Sequence, residues 1–418
     1  MQFREHTLSN GLQIVAEVDD AALSCSFGFF VDSGARHERE GESGLSHFLE
    51  HMLFKGTPRR TAAQVNREID ALGGNCNAYT AEDHTVYYMH VIPRLQREAV
   101  DLLSDLMRAS MREDDFETER KVILEEIAMY DDQPPYGAAE MSMEQYFGDH
   151  PLSNRVLGTA ESIRDMTPAA MRDYHRRRYA PGRIAVVAAG AVDFDSLVRQ
   201  LERACGSWKA ETDAGEQMQP PLVLSPEPYR AAAVPIANQQ YLIAMQAAPP
   251  IDSEDRWAWR LAVSAVGDER GSRLFWSLLD PGLAESAGMS IQHFSDCGIL
   301  HSFIACAPED ALENWSLLRE TVESVGERPL EQRELELVRN RACASLILAA
   351  ERPSNRLFSV GNAWFYRRRY DPLPEVMAKY EAVTLDQVNA AAEAIAAARG
   401  TLTAVGPRPL SLPNAASA

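Results

Sequence analysis

Several protein classes are excluded by what this sequence lacks. Its six cysteines (Cys25, Cys76, Cys205, Cys297, Cys306 and Cys343) are scattered through 418 residues with no Cys-x-x-Cys pair. Neither a disulfide framework nor a cysteine-held zinc is therefore expected, and the thiols read as mostly buried and free. Any metal must be held by histidine and carboxylate. No apolar run approaches the roughly 18–20 residues of a membrane-spanning helix, so no membrane partner is expected. Positive charge is scarce: Lys plus Arg number 41 against 61 Asp plus Glu, a formal net charge of -20, which disfavours nucleic acid and anionic lipid. The opening, Met1 to Thr7, has neither the basic n-region nor the apolar h-region of a secretory signal, so the expected location is cytoplasmic.

What is present points to two domains, the number that this length favours. The stretch from Glu211 to Pro228 combines charge with prolines between two structured regions and reads as a linker. The expected division is 1–210, 211–228 and 229–418. A local pattern repeats across it. Met166-Thr167-Pro168 opens a helical stretch leading to an apolar strand that ends at Gly190, and Val383-Thr384-Leu385 leads likewise to a strand that ends at Gly406. The halves therefore look like a divergent duplication. In the first half, strands are expected at 12–18 and 26–31, helices at 45–54 and 61–72, and one polar, alternating strand from Asn77 to His90. Helices follow near 97–109 and 116–130; the second half repeats the mixture, with strands near 240–247 and 300–305 and a long helix over 330–350. Antiparallel-looking strands mixed with runs of helices suggest an α+β fold.

The chemistry concentrates on the helix expected at 45–54, which reads His47-Phe48-Leu49-Glu50-His51. Residues four apart lie one above the other on a helix, so both imidazoles can reach one metal ion, with Glu50 beside them. A metal site of this kind needs a third protein ligand. Glu119 and Glu126, seven apart on the helix near 116–130, can both look at that site, whereas Glu125 points roughly 100° away. His84, His90, His150 and His175 lie outside the motif and read as structural or surface residues.

The run GLSHFLEHMLFKG from Gly44 to Gly56, the stretch Gly73-Gly74-Asn75-Cys76-Asn77-Ala78-Tyr79-Thr80 with Asp83-His84-Thr85-Val86-Tyr87-Tyr88, and Glu119-Arg120-x-Val122-Ile123-x-x-Glu126 carry a resemblance. They resemble the insulinase/pitrilysin zinc metallopeptidases, and more narrowly their short, bacterial, processing-peptidase-like branch. The resemblance implies that His47, His51 and Glu126 hold Zn2+, that Glu50 is the general base and that Glu119 is a supporting carboxylate. It also implies an edge strand at Asn77, Ala78 and Tyr79 that pairs with substrate. The fold it implies has two similar α+β halves (mitochondrial-processing-peptidase-like), each a mostly antiparallel sheet with helices packed on one side, together forming half of a clamshell chamber.

The expected activity is zinc metalloendopeptidase action on peptides or unfolded polypeptide segments. Two neutral imidazoles and one carboxylate leave a zinc ion with net positive charge, which lowers the pKa of its water to about 7 and lets Glu50 take the proton. The rival from another class is a non-catalytic assembly subunit that keeps the fold. The second half carries no His-x-x-Glu-His. Where self-sufficient relatives would place a substrate-facing Arg and Tyr, this chain has Leu279 and Glu285, neither of which can donate to an oxyanion. A dimer is therefore expected, either with a related chain that supplies the Arg and Tyr or with a second copy, in which Arg270, Arg273 or His293 would have to replace them.

Overall fold

The computed structural model describes residues 1–131, 133–209 and 228–411. Residues 211–227 of the expected linker lie outside the described residues. Among the described residues the chain divides into two compact units, one built from 1–127, 154–209 and 348–371, the other from 128–153, 228–347 and 372–411.

The first unit holds β1 (Gln2–Thr7), β2 (Gln13–Val18), β3 (Cys25–Val31), β4 (Asn75–Thr80), β5 (Thr85–Val91) and β6 (Ile184–Gly190) in one sheet of order β1-β2-β6-β3-β5-β4. Only the β2–β6 pair is parallel. The second unit holds β7 (Tyr229–Ala233), β8 (Gln240–Ala248), β9 (Ser286–His293), β10 (Gly298–Cys306) and β11 (Gly400–Gly406) in the order β7-β11-β8-β10-β9, with β7–β11 the parallel pair. The second order reproduces the first without β1. This matching topology is what a duplicated α+β unit gives.

One expectation is corrected. The single strand expected from Asn77 to His90 is a hairpin, β4 and β5, closed by the Ala81 N–H donating to the His84 carbonyl at 2.9 Å. Asp83 sits in that turn and its carboxylate is buried against Arg36 at 2.8 Å, a contact that fixes the reversal and leaves no local trace in the sequence. The expected arrangement, a mostly antiparallel sheet with helices packed on one side, is otherwise present, with one helix added to it. In the first unit the main helical layer does pack on one face, over Ile14, Phe27, Phe29, Tyr87 and Val186. The alternate residues Val15, Phe30, Val86, Ala185 and Val187, however, are covered on the opposite face by Leu357 and Val360 of the Pro353–Arg367 helix. Both faces being covered explains why β3 and β6 are buried at every position.

That covering helix comes from late in the chain, and the exchange is reciprocal. The Glu113–Asp131 helix is followed by the Pro134–Phe147 helix, whose Tyr146 and Phe147 pack with Met245 of β8 and Ile299 of β10 in the second unit. The Gln332–Ala350 helix is followed by Pro353–Arg367, which packs on the first sheet. On that sheet Arg356 Nε donates to Glu17 Oε1 at 2.6 Å, its second nitrogen bonds Glu17 Oε2, and the Tyr370 hydroxyl donates to the same oxygen at 2.6 Å. Glu17 is 2% exposed, so its charge depends on these donors. Arg356→Met should cost about 3–5 kcal/mol of stability in chemical denaturation, because it strands a buried carboxylate. Arg356→Met combined with Glu17→Leu should recover a large part of that loss.

Candidate metal centre

The Leu45–Leu53 helix is positioned by its first residues. Gly44 enters it at φ 85°, and a Cβ there would meet the Leu157 carbonyl oxygen at 2.6 Å, so conformation and space both demand glycine. Buried Glu38 accepts from the backbone N–H groups of Gly44 and Ser46 at 2.8 and 2.7 Å, satisfying donors that a helix start leaves unpaired. Burial pushes the Glu38 carboxyl up to about 8, against the pull of those hydrogen bonds. The Glu113–Asp131 helix buries Phe116, Glu119, Ile123 and Ile127 along one stripe, and Phe116 stacks on Phe48 at 4.5 Å. This packing brings the two helices together beside the histidines.

His47 and His51 lie one turn apart with ring centroids 4.7 Å apart. Glu126 Oε2 sits 3.8 Å from His47 Nε2 and 3.6 Å from His51 Nε2, and the ligand atoms of the three residues all lie within 4.8 Å of one another. These separations are too long for hydrogen bonds, so two nitrogens and an oxygen face one point without bonding to each other. Two imidazoles and a carboxylate make a donor set that suits zinc. On its other side His51 Nδ1 donates to Glu119 Oε2 at 3.2 Å, and Lys55 Nζ holds Glu119 Oε1 at 2.6 Å. Glu50 accepts from Thr80 Oγ1 at 2.6 Å, and exposed Glu125 takes no part in the cluster. His47 Nδ1 is buried and, among the described residues, has no hydrogen-bond partner, so packing alone orients that ring.

The electrostatics follow from burial among carboxylates. Burial, with His51 nearby, lowers the His47 imidazole to about 3 and keeps it neutral, the form a metal needs. At His51 burial acts downward too, but the Glu119 hydrogen bond and the charges of Glu126 and Glu50 outweigh it and raise its pKa. Burial raises Glu50, and the Thr80 hydrogen bond only partly offsets it. Burial also opposes charge on Glu119, yet the bonds from His51 and Lys55 hold its carboxyl below the usual range. Three carboxylates acting on one imidazole make a field that attracts a cation.

The remaining candidate residues are divided by the pleat. Asn77, Ala78 and Tyr79 lie on β4, which is an edge strand because, among the described residues, it pairs with β5 alone. The Ala78 N–H is taken by Asn77 Oδ1 at 2.9 Å, and the Tyr79 side chain packs on the sheet face away from Glu50. Glu38, Lys55 and Thr80 have roles that the spacing of the sequence does not mark. Thr80 lay within the run carrying the resemblance, whereas a cap such as Glu38 leaves no periodic signal.

Fold and site together define the class: a duplicated α+β chain whose first unit carries a His-His-Glu cluster suited to a metal-dependent hydrolase. The chain belongs to the insulinase family, peptidase family M16. The family model described as insulinase (peptidase family M16) matches residues 13–160, and that described as the peptidase M16 inactive domain matches residues 165–342. An uncharacterized zinc protease of Mycobacterium tuberculosis is 34% identical over 410 residues, covering 97% of this chain and 93% of that protein. The mitochondrial-processing peptidase subunit beta of Caenorhabditis elegans is 28% identical over 399 residues, 91% and 84% of the two chains. Among solved structures, a protease from Helicobacter pylori shares the fold with a TM-score of 0.89 at 19% identity, over 97% of this chain and all (100%) of that one.

The geometry generates a prediction for Glu119. Replacing it by Gln keeps the shape but removes the charge that orients His51, and should weaken zinc binding about 10–100-fold in competition with a chromogenic chelator. Glu125→Gln should leave the affinity unchanged.

Proposed function

We propose that the chain is a zinc endopeptidase acting on peptides or unfolded polypeptide segments. The observation that carries this reading is the convergence of His47, His51 and Glu126 within 4.8 Å beside Glu50, at the end of an edge strand. Relatives named zinc proteases support it.

His47, His51 and Glu126 would hold the ion, which when bound supplies Lewis acidity and lowers the pKa of water to about 7. Glu50 takes the proton that water gives up and returns it to the departing amine. The Thr80 hydroxyl engages Glu50 Oε2, which leaves Oε1 for the proton. Burial raises the carboxyl of Glu50 and makes it a stronger base than a solvated glutamate. Glu119 orients His51 and does not itself touch substrate. β4 offers an extended peptide its unpaired main-chain edge, once Asn77 releases the Ala78 N–H. Recognition through main chain selects flexible segments over folded ones and is tolerant of side-chain identity.

We propose further that full activity needs a related partner chain bearing the Arg and Tyr replaced here by Leu279 and Glu285. Arg273, one candidate substitute, is committed to Glu334 at 3.0 Å and to the carbonyl oxygens of Arg328 and Pro329 at 2.6 and 3.1 Å. The Caenorhabditis elegans relative is by name one subunit of a processing peptidase, which agrees with this reading.

Glu50→Gln should retain zinc and fold while hydrolysis of a quenched fluorescent peptide falls by about a hundredfold or more. His47→Ala, His51→Ala and Glu126→Gln should lose zinc as well. Zinc-loaded Glu50→Gln that still turns over would defeat the assignment of the base. Mixing the chain with related chains from its source should raise turnover by about a hundredfold, the usual worth of an oxyanion donor. Hydrolysis absent in every mixture would favour the assembly-subunit reading.

A further inference from the structure

The side chains of β4 divide between two faces. Cys76 and Ala78 join the core beneath the Leu45–Leu53 helix, and Thr80 reaches Glu50 on that side. Tyr79 points the other way, into the layer under the Pro353–Arg367 helix. There its hydroxyl shares a 3.0 Å hydrogen bond with His84 Nε2, and its ring lies 6.0 Å from Phe358. Phe358 packs edge-on against Tyr88 of β5 at 5.0 Å, so one ring grips both strands of the hairpin. The His84 ring is 5% exposed and is enclosed by Phe30, Phe365 and Tyr366 at centroid distances of 6.4, 4.8 and 5.9 Å. Among the described residues its Nδ1 makes no hydrogen bond, so the bond to Tyr79 is the ring's polar contact.

An edge strand has a ladder partner on one side only, so main-chain pairing leaves its lateral position less restrained than that of an interior strand. We infer that Tyr79, His84 and Phe358 are positioning residues that lock β4 from its far face, and so set Thr80 against Glu50 and fix the main-chain edge offered to an extended peptide. The chain of contacts runs from Phe358 and His84 to Tyr79, along one peptide unit to Thr80, and from its hydroxyl to the carboxylate. The inference rests on the reading of Glu50 and β4 given under Proposed function. It adds that residues 353–367, which lie in the half without the histidine motif, help to aim the proposed base.

The test uses the full-length zinc-loaded chain and three variants. Tyr79→Phe deletes one oxygen and keeps the ring, His84→Leu removes the bond from the other side, and His84→Gln keeps a polar group within reach. Three quantities are measured: hydrogen exchange of the β4 amides, zinc content, and the separate KM and kcat for a quenched peptide. Tyr79→Phe and His84→Leu should speed β4 exchange and raise KM by roughly fivefold each, the worth of one hydrogen bond, with zinc content unchanged and His84→Gln restoring much of the loss. A role in stability alone would lower the melting temperature without moving KM. Wild-type exchange and KM in both variants would overturn the inference; if His84→Leu does not fold, Tyr79→Phe decides alone. Should the wild-type chain hydrolyse no peptide, alone or mixed with related chains, the proposed function falls, while the exchange of β4 still decides whether the far-face anchor exists.

Discussion

Glu50, Glu119 and Glu126 surround His51 at the foot of one helix, and keeping three carboxylates in partly buried positions is costly, because they repel one another and lose hydration. Much of the nearby structure offsets that cost. Lys55 neutralises Glu119 from the side away from His51, and the Thr80 hydroxyl satisfies one oxygen of Glu50. Phe48 stacked on Phe116 supplies apolar contact that holds the two helices together in spite of the charge they carry. A dication would relieve the same repulsion. The shape and charge of the cluster that the proposed ion would occupy are therefore set by the residues around His47, His51 and Glu126 as much as by those three.

The same logic applies one layer further out. The helix bearing the histidines is held at its start by Gly44, which no other residue can replace without strain, and by the buried carboxylate of Glu38. Glu50 is reached from the opposite direction, through Thr80 on an edge strand. Helix start and strand end thus come at the cluster from two sides, each fixed by contacts outside it.

The sequence made the centre of this arrangement legible and its supports much less so. His47 and His51 at helical spacing, and Glu119 and Glu126 two turns apart, are periodic features that survive without tertiary context. β6 and β11 were legible as apolar runs that end in glycine. The hairpin of β4 and β5 was not, because its turn is stabilised by Asp83 meeting Arg36 far along the chain, and within a polar alternating run that aspartate looks like any other strand residue. Glu38 and Tyr79 were illegible in role for a similar reason: a capping carboxylate and an outward-facing tyrosine act through partners that periodicity does not name. The destinations of the Pro134–Phe147 and Pro353–Arg367 helices were hidden as well, since an apolar stripe says that a helix is covered and never by which sheet.

That exchange bears on how such a chain could have arisen. A contiguous half, separated from the other, would keep its sheet but lack the helix that shields Val15, Phe30, Val86, Ala185 and Val187, or the equivalent face of the second sheet. Left bare, a surface of that kind invites association. A half-length ancestor could have covered it by borrowing the corresponding helix from a second copy of itself, as in a domain-swapped pair. Fusion of two such copies would turn an encounter between molecules into a connection within one, and would leave the half without the histidine motif still needed to complete the half that has it.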